Sequence, residues 1–157
     1  MMRPRVPADL AAGMLVWQLR RSRDSAVGNV GFWLGLCVED LTAVADALST
    51  STAAVPDREA RLRAVEGLRA TLQRCAAAIT AGQATYSTLS DLCTAARTLR
   101  FVRPEPATAD IPDTDNPLYN ITVWLIDAIS GSATLLHAQE ALDTAARYGY
   151  PDDAATT

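Results

Sequence analysis

The chain holds a single histidine, His137, three residues before Glu140. On a helix this spacing sets imidazole and carboxylate on one face, the arrangement that supplies half of a di-iron site. A complete site needs a second such pair, and there is no second histidine to build it. The sequence therefore assigns no metal, and His137 stands only as an acid–base candidate. Asp127 sits among Trp124, Leu125, Ile126, Ala128 and Ile129. A carboxylate stripped of water by such neighbours holds its proton more tightly and can act as a general acid or base. Glu39, with Asp40 beside it, follows directly on an apolar run and is a candidate on the same ground. Arg97 and Arg100, with Arg103, step by three along one helix face and fit a phosphate, sulfate or carboxylate. Trp124 would wall a pocket for such a ligand. Each of these residues also has a plain surface role. The reading favoured for the carboxylates is a solvated one, and for the arginines compensation for a helix C-terminus followed by Glu105, Asp110, Asp113 and Asp115.

The usual catalytic constellations do not occur. There is no glycine-rich phosphate loop, no Gly-x-Ser-x-Gly and no Cys-x-x-Cys. All 14 basic residues are arginine, so no lysine can form a Schiff base. Nothing in these motifs calls for a cofactor. Cys37, Cys75 and Cys93 are an odd number without close pairing, which suits free thiols packed as small apolar groups in a reducing compartment.

The elements that carry these residues are helical. Ala makes up 29 of 157 residues, while Phe and Tyr together number six. This balance favours helix over sheet. Abundant Ala with Arg in place of Lys also suits a GC-rich bacterial gene. The net charge of −4 argues against a nucleic-acid partner. The longest uninterrupted apolar run, Val30 to Val38, is nine residues, short of the roughly 20 that a membrane span needs. The basic start, with Asp9, Gln18 and Arg20 breaking the apolar stretch after it, does not read as a secretory signal. The expectation is a cytoplasmic protein without membrane or nucleic-acid partners.

Breakers mark the helices. Residues 1–7 read as a flexible lead-in, 8–151 as one helical domain and 152–157 as a disordered tail. A first, shorter helix is expected from Pro7 or Ala8 to about Arg21, with Leu10, Met14, Trp17 and Leu19 inward. A second runs from about Ser25 to Leu48. A third is capped by Asp57 and ended by Gly82, with Leu62, Val65, Leu68, Leu72, Cys75 and Ile79 as a near-heptad stripe. A fourth spans about Thr85 to Val102 and stops at Pro104. The last opens on Asn116-Pro117 and closes at Gly149, a cap, a first-turn proline and a terminal glycine in their preferred places. The fold class predicted is all-α: an antiparallel bundle of four long helices plus a shorter N-terminal one. The acidic, proline-rich segment 104–117 either crosses the end of the bundle or serves as a lid or docking loop.

The second helix points to function. Val30 to Val38 has no polar face, so it must be covered on all sides. Gly31 and Gly35 share a face and would admit another backbone, and Phe32 and Trp33 are the aromatic anchors of an interface. On this reading the chain is a non-catalytic interaction protein, an accessory subunit that forms a homodimer or a heteromeric complex and binds or stabilises its partner, such as an enzyme encoded beside it. The alternative is a small enzyme or binding protein that holds an apolar or anionic small molecule between its helices. There Asp127 or Glu39 would be the polar group, Trp124 the wall, and Arg97 or Arg100 the anion contact.

Overall fold

A computed structural model describes residues 8–52, 54–102 and 117–150. They form four helices: α1 (Ala8–Thr50), α2 (Arg58–Thr80), α3 (Tyr86–Val102) and α4 (Pro117–Arg147). The described residues are all-α, with helices joined by short turns where the connection is seen. The expected lead-in, the tail and nearly all of the 104–117 segment lie outside the described residues.

The separate N-terminal helix is not found. It and the second helix are one helix of 43 residues. The segment expected to part them, Arg20-Arg21-Ser22-Arg23-Asp24-Ser25, is polar but contains neither proline nor glycine. Polarity alone does not stop a helix, because the side chains can face water while the backbone ladder continues. The other stops act as expected. Pro117 opens α4. Gly82 turns left-handed with φ 71° after α2, and the Gln83 N–H donates back to the Ala78 carbonyl at 2.8 Å. Asp57 does precede α2, but it is itself left-handed at φ 53° and its side chain caps nothing.

Continuity of α1 fixes one register along its whole length. Val16, Ala26, Val30, Leu34, Cys37, Leu41 and Ala45 form the buried stripe. Leu10, Met14 and Trp17, expected inward, lie on the opposite side and are exposed, while Leu19 is half-buried. A free-standing short helix could have turned them in; a helix rigidly joined to the Val30–Leu41 stripe cannot.

Helix α1 packs on α2 and α4, and α3 packs on the same two. Among the described residues no contact crosses the diagonals. The core fills the space between, from Val30, Leu34 and Leu41 on α1 through Val65, Leu72 and Ile79 on α2 and Leu92 and Leu99 on α3 to Ile121, Leu125 and Leu135 on α4. Three contacts register α1 on α4 and the turn that follows it: the Tyr150 hydroxyl with Asp9 Oδ1 at 3.3 Å, Val30 against Gly131, and the Cys37 thiol donating to the Ile121 carbonyl at 3.7 Å. Others tie α2 to α1 and α3: Arg69 Nη1 donates to Thr42 Oγ1 at 3.5 Å, and the Cys75 thiol to the Thr88 carbonyl at 3.8 Å. The Tyr86 hydroxyl joins α3 to α4 by donating to Glu140 Oε2 at 2.9 Å. At a rise of about 1.5 Å per residue, α1 is roughly 65 Å long and α2 roughly 35 Å. The end of α2 reaches α1 near Arg23, Asp24 and Val27. The first four turns of α1 therefore run past α2, accompanied by the end of α4.

Two consequences are measurable. The Ser132 hydroxyl is buried in α4 and has no hydrogen-bond partner among the described residues. Leaving a hydroxyl dry and unpaired costs about 1–3 kcal/mol, so Ser132→Ala should raise the urea midpoint. The Cys37 thiol is fully buried, and its pKa is pushed up to about 12, first by burial and then by Asp40. An unfolded chain ionises this thiol near 9, and the folded one holds the proton to about 12. Stability from this group is complete below pH 9 and falls as pH rises towards 12. Cys37→Ala should flatten that alkaline loss, read by melting at stepped pH.

Candidate functional site

The residues proposed from sequence do not converge. Asp127, Glu39, His137 and Arg97 are all exposed. Asp127 lies on α4 with Ser130, Thr134 and His137 on the side that faces solvent. Asp40 is half-buried, and its carboxyl is pushed above the ordinary range, first by burial and then by Glu39. Trp124 is partly buried and packs against the core. The Arg100 side chain lies outside the described residues. Among the described residues no three His, Cys, Asp or Glu side chains come together in a way that would hold a metal ion.

One groove does gather some of these groups. It lies between the start of α1 and the end of α4, with a volume of about 530 Å³. Leu15, Val16 and Leu19 form one wall, and Ala141, Ala145 and Tyr148 the other. His137 and Glu140 are at its edge. Glu140 is engaged by Tyr86, whose phenol is shifted upward in pKa, first by that hydrogen bond and then by the carboxylate charge. The groove is mostly apolar, and the hydroxyls in its lining are those of Thr144, Tyr148 and Tyr150.

The larger feature is the outer side of α1. Leu10, Met14, Trp17 and Phe32 are each more than half exposed, at 57%, 54%, 55% and 61%. Sequence positions 10, 14 and 17 follow a helical spacing, so the three share a face. The guanidinium of Arg21 lies 5.3 Å from the Trp17 ring centre, a cation–π contact one turn further along the same side. Phe32 continues that side and meets Trp33 edge-on, with ring centres 5.2 Å apart at 66°. Of this pair, Trp33 is half-buried and packs against the core, while Phe32 faces out. Gly35 is exposed, Gly31 is half-buried, and a Cβ on either would meet none of the described residues within 4 Å. The close backbone approach is elsewhere, at Gly131, where an added Cβ would lie 2.6 Å from Val30 Cγ2. The sequence signal for Gly131 was only its place between two serines.

Apolarity on the outside also changes the membrane question. Helix α1 and residues Leu118–Arg147 are each long and apolar enough, by length and composition, to cross a membrane. The uninterrupted-run criterion missed them because a window average tolerates scattered charges. The core helices of a bundle pass the same test, so this observation assigns no location. No known protein family, curated protein or solved structure matches the chain.

Proposed function

We propose that this protein is a non-catalytic interaction subunit: an antiparallel four-helix bundle whose outer α1 side docks on another protein chain in the cytoplasm and stabilises the complex. The antiparallel order is supported by the α1–α4 contacts, where residues 9, 30 and 37 meet 150, 131 and 121. The observation that carries the functional reading is the row Leu10, Met14, Trp17 and Phe32, large apolar side chains left open along one side of one helix. Single exposed apolar residues are ordinary, but a cluster of them marks a contact surface, here Leu10, Met14 and Trp17 one turn apart, with Phe32 about 22 Å further along the same helix. Aromatic anchors flanked by charge, as Trp17 is by Arg21, are what binding hot spots use.

A photo-crosslinking residue placed at 17, at 32 and at the exposed position 97 tests the proposal in the producing cell. Positions 17 and 32 should give the same discrete protein adduct, and position 97 none. Identical labelling from all three, or none from 17 and 32, would contradict it.

The second reading, a small-molecule binder, is favoured only by the groove between α1 and α4. Its lining suits an apolar ligand with a polar end near His137 and Glu140. An environment-sensitive naphthalene dye should then bind to wild type and lose that binding in Ala141→Trp, which fills the groove. Dye binding that survives the substitution removes this reading.

A further inference from the structure

We infer that the outer side of α1 pairs with the same side of a second copy of this chain, antiparallel, about a two-fold axis between residues 22 and 23. This rests on the interaction reading above and names its partner. The residues along that side are Leu10, Met14, Trp17, Arg21, Asp24, Gly28, Gly31 and Gly35. Their spacing alternates four and three, the spacing of a coiled-coil seam. Only Gly31 of the eight is half-buried; the others are exposed.

The alternation reads the same in both directions, which a two-fold interface requires, because each residue must face a position that faces it back. About the axis between 22 and 23, Leu10 faces Gly35 of the second copy, Met14 faces Gly31, Trp17 faces Gly28, and Arg21 faces Asp24. Every large apolar side chain meets a glycine. Both central contacts join opposite charges. Off the seam, the exposed Phe32 ring falls over Gly13 of the second copy. A parallel pairing would instead stack Arg21 on Arg21, Asp24 on Asp24 and glycine on glycine, leaving voids beside crowded indoles. Like charges face to face are strongly disfavoured at an interface, so charge and size choose the same orientation.

The glycines supply a second argument. Gly13, Gly28, Gly31 and Gly35 all lie inside α1, and glycine weakens a helix interior relative to alanine. None has the positive φ of Gly82 or Gly149. None is crowded, since an added Cβ at each meets nothing within 4 Å. None of the described residues packs into them, and the knobs of a second copy would. Asp24 already accepts from Arg23 Nε at 3.1 Å, which leaves its second carboxylate oxygen for Arg21 across the axis. The net charge of −4, and on this side two carboxylates, Asp24 and Glu39, against the single Arg21, favour a protein partner over an anionic membrane surface.

The seam is narrow beside a standard interface of roughly 800 Å² per partner, so a dissociation constant in the micromolar range is expected. Light scattering of the purified full chain at tens of micromolar should give twice the 16.7 kDa chain mass. Trp17→Glu and, independently, Gly28→Leu should give the monomer mass with unchanged helicity. Arg21→Asp should weaken the dimer at least about tenfold by facing two carboxylates twice, and the exchange Arg21→Asp with Asp24→Arg should restore it. A wild-type monomer at these concentrations would overturn the inference. So would a dimer indifferent to Trp17→Glu and Gly28→Leu, or an exchange that rescues nothing. A monomer that instead floats with vesicles of phosphatidylcholine and phosphatidylglycerol also overturns it and gives this side to lipid. If self-pairing fails while positions 17 and 32 still crosslink to one different protein, the interaction reading survives without it; if both fail, both fall.

Discussion

Leu34→Ala should cost about 2–5 kcal/mol of unfolding free energy, while Phe32→Ser, two residues earlier in the same apolar run, should change the isolated monomer by less than about 0.5 kcal/mol. Leu34 is wholly buried, whereas Phe32 is 61% exposed. Truncating Leu34 removes its transfer energy and leaves a cavity within the core cluster, whose residues relax only in part. For a chain of this length that loss lowers Tm by roughly 2–4 °C per kcal/mol. Urea melts at nanomolar concentration keep the comparison free of association. Phe32 should then matter where stability does not, in complex formation. Equal effects of the two substitutions on stability would mean that the second half of α1 is covered within its own chain.

Glycine substitutions should separate in sign. Gly131→Ala places a Cβ 2.6 Å from Val30 Cγ2, and Val30 is itself wholly buried. Valine is stiff at χ1 and cannot swing aside, so α1 and α4 must part locally, at about 1–3 kcal/mol. Gly35→Ala and Gly28→Ala enter open space. They should raise the stability of the dilute monomer by about 0.5–1 kcal/mol each, because alanine loses less backbone freedom in a helix. Val30→Ala in the Gly131→Ala background should cost less than the two single losses added, since the shortened side chain vacates the space the new Cβ needs. Strict additivity would show that the two helices do not meet at this point.

Much of the helix layout could be read from local chemistry. Gly82 stops α2 and Pro117 starts α4 because glycine and proline change what the backbone itself can do. The near-heptad row Val65, Leu68, Leu72, Cys75 and Ile79 is the buried row of α2. The join within α1 was not legible, because Arg20 to Ser25 look like an end without containing a breaker. That one missed continuity also reversed Leu10, Met14 and Trp17, whose direction depends on a register set by Val30, Leu34 and Leu41 downstream. Within Val30–Val38 every residue is apolar or glycine, so periodicity could not say that Phe32 faces out and Trp33 packs inward. Only the continuation through Leu41 and Ala45 decides it. The contact between Gly131 and Val30 joins residues far apart in sequence, and no local pattern announces such an approach. The candidates Asp127 and Arg97 came from residue type and spacing, which place side chains on a face without saying whether that face is covered.

The most direct measurement is carbene footprinting of the protein at its cellular concentration, in its producing cell, against the same protein diluted to nanomolar. If the outer side of α1 is an interface, Leu10, Met14, Trp17 and Phe32 are labelled in dilute solution and protected in the cell, while Ile126, exposed on α4, is labelled in both. Labelling of all five to the same extent under both conditions would contradict the account, because that side of α1 would then face water in the working protein.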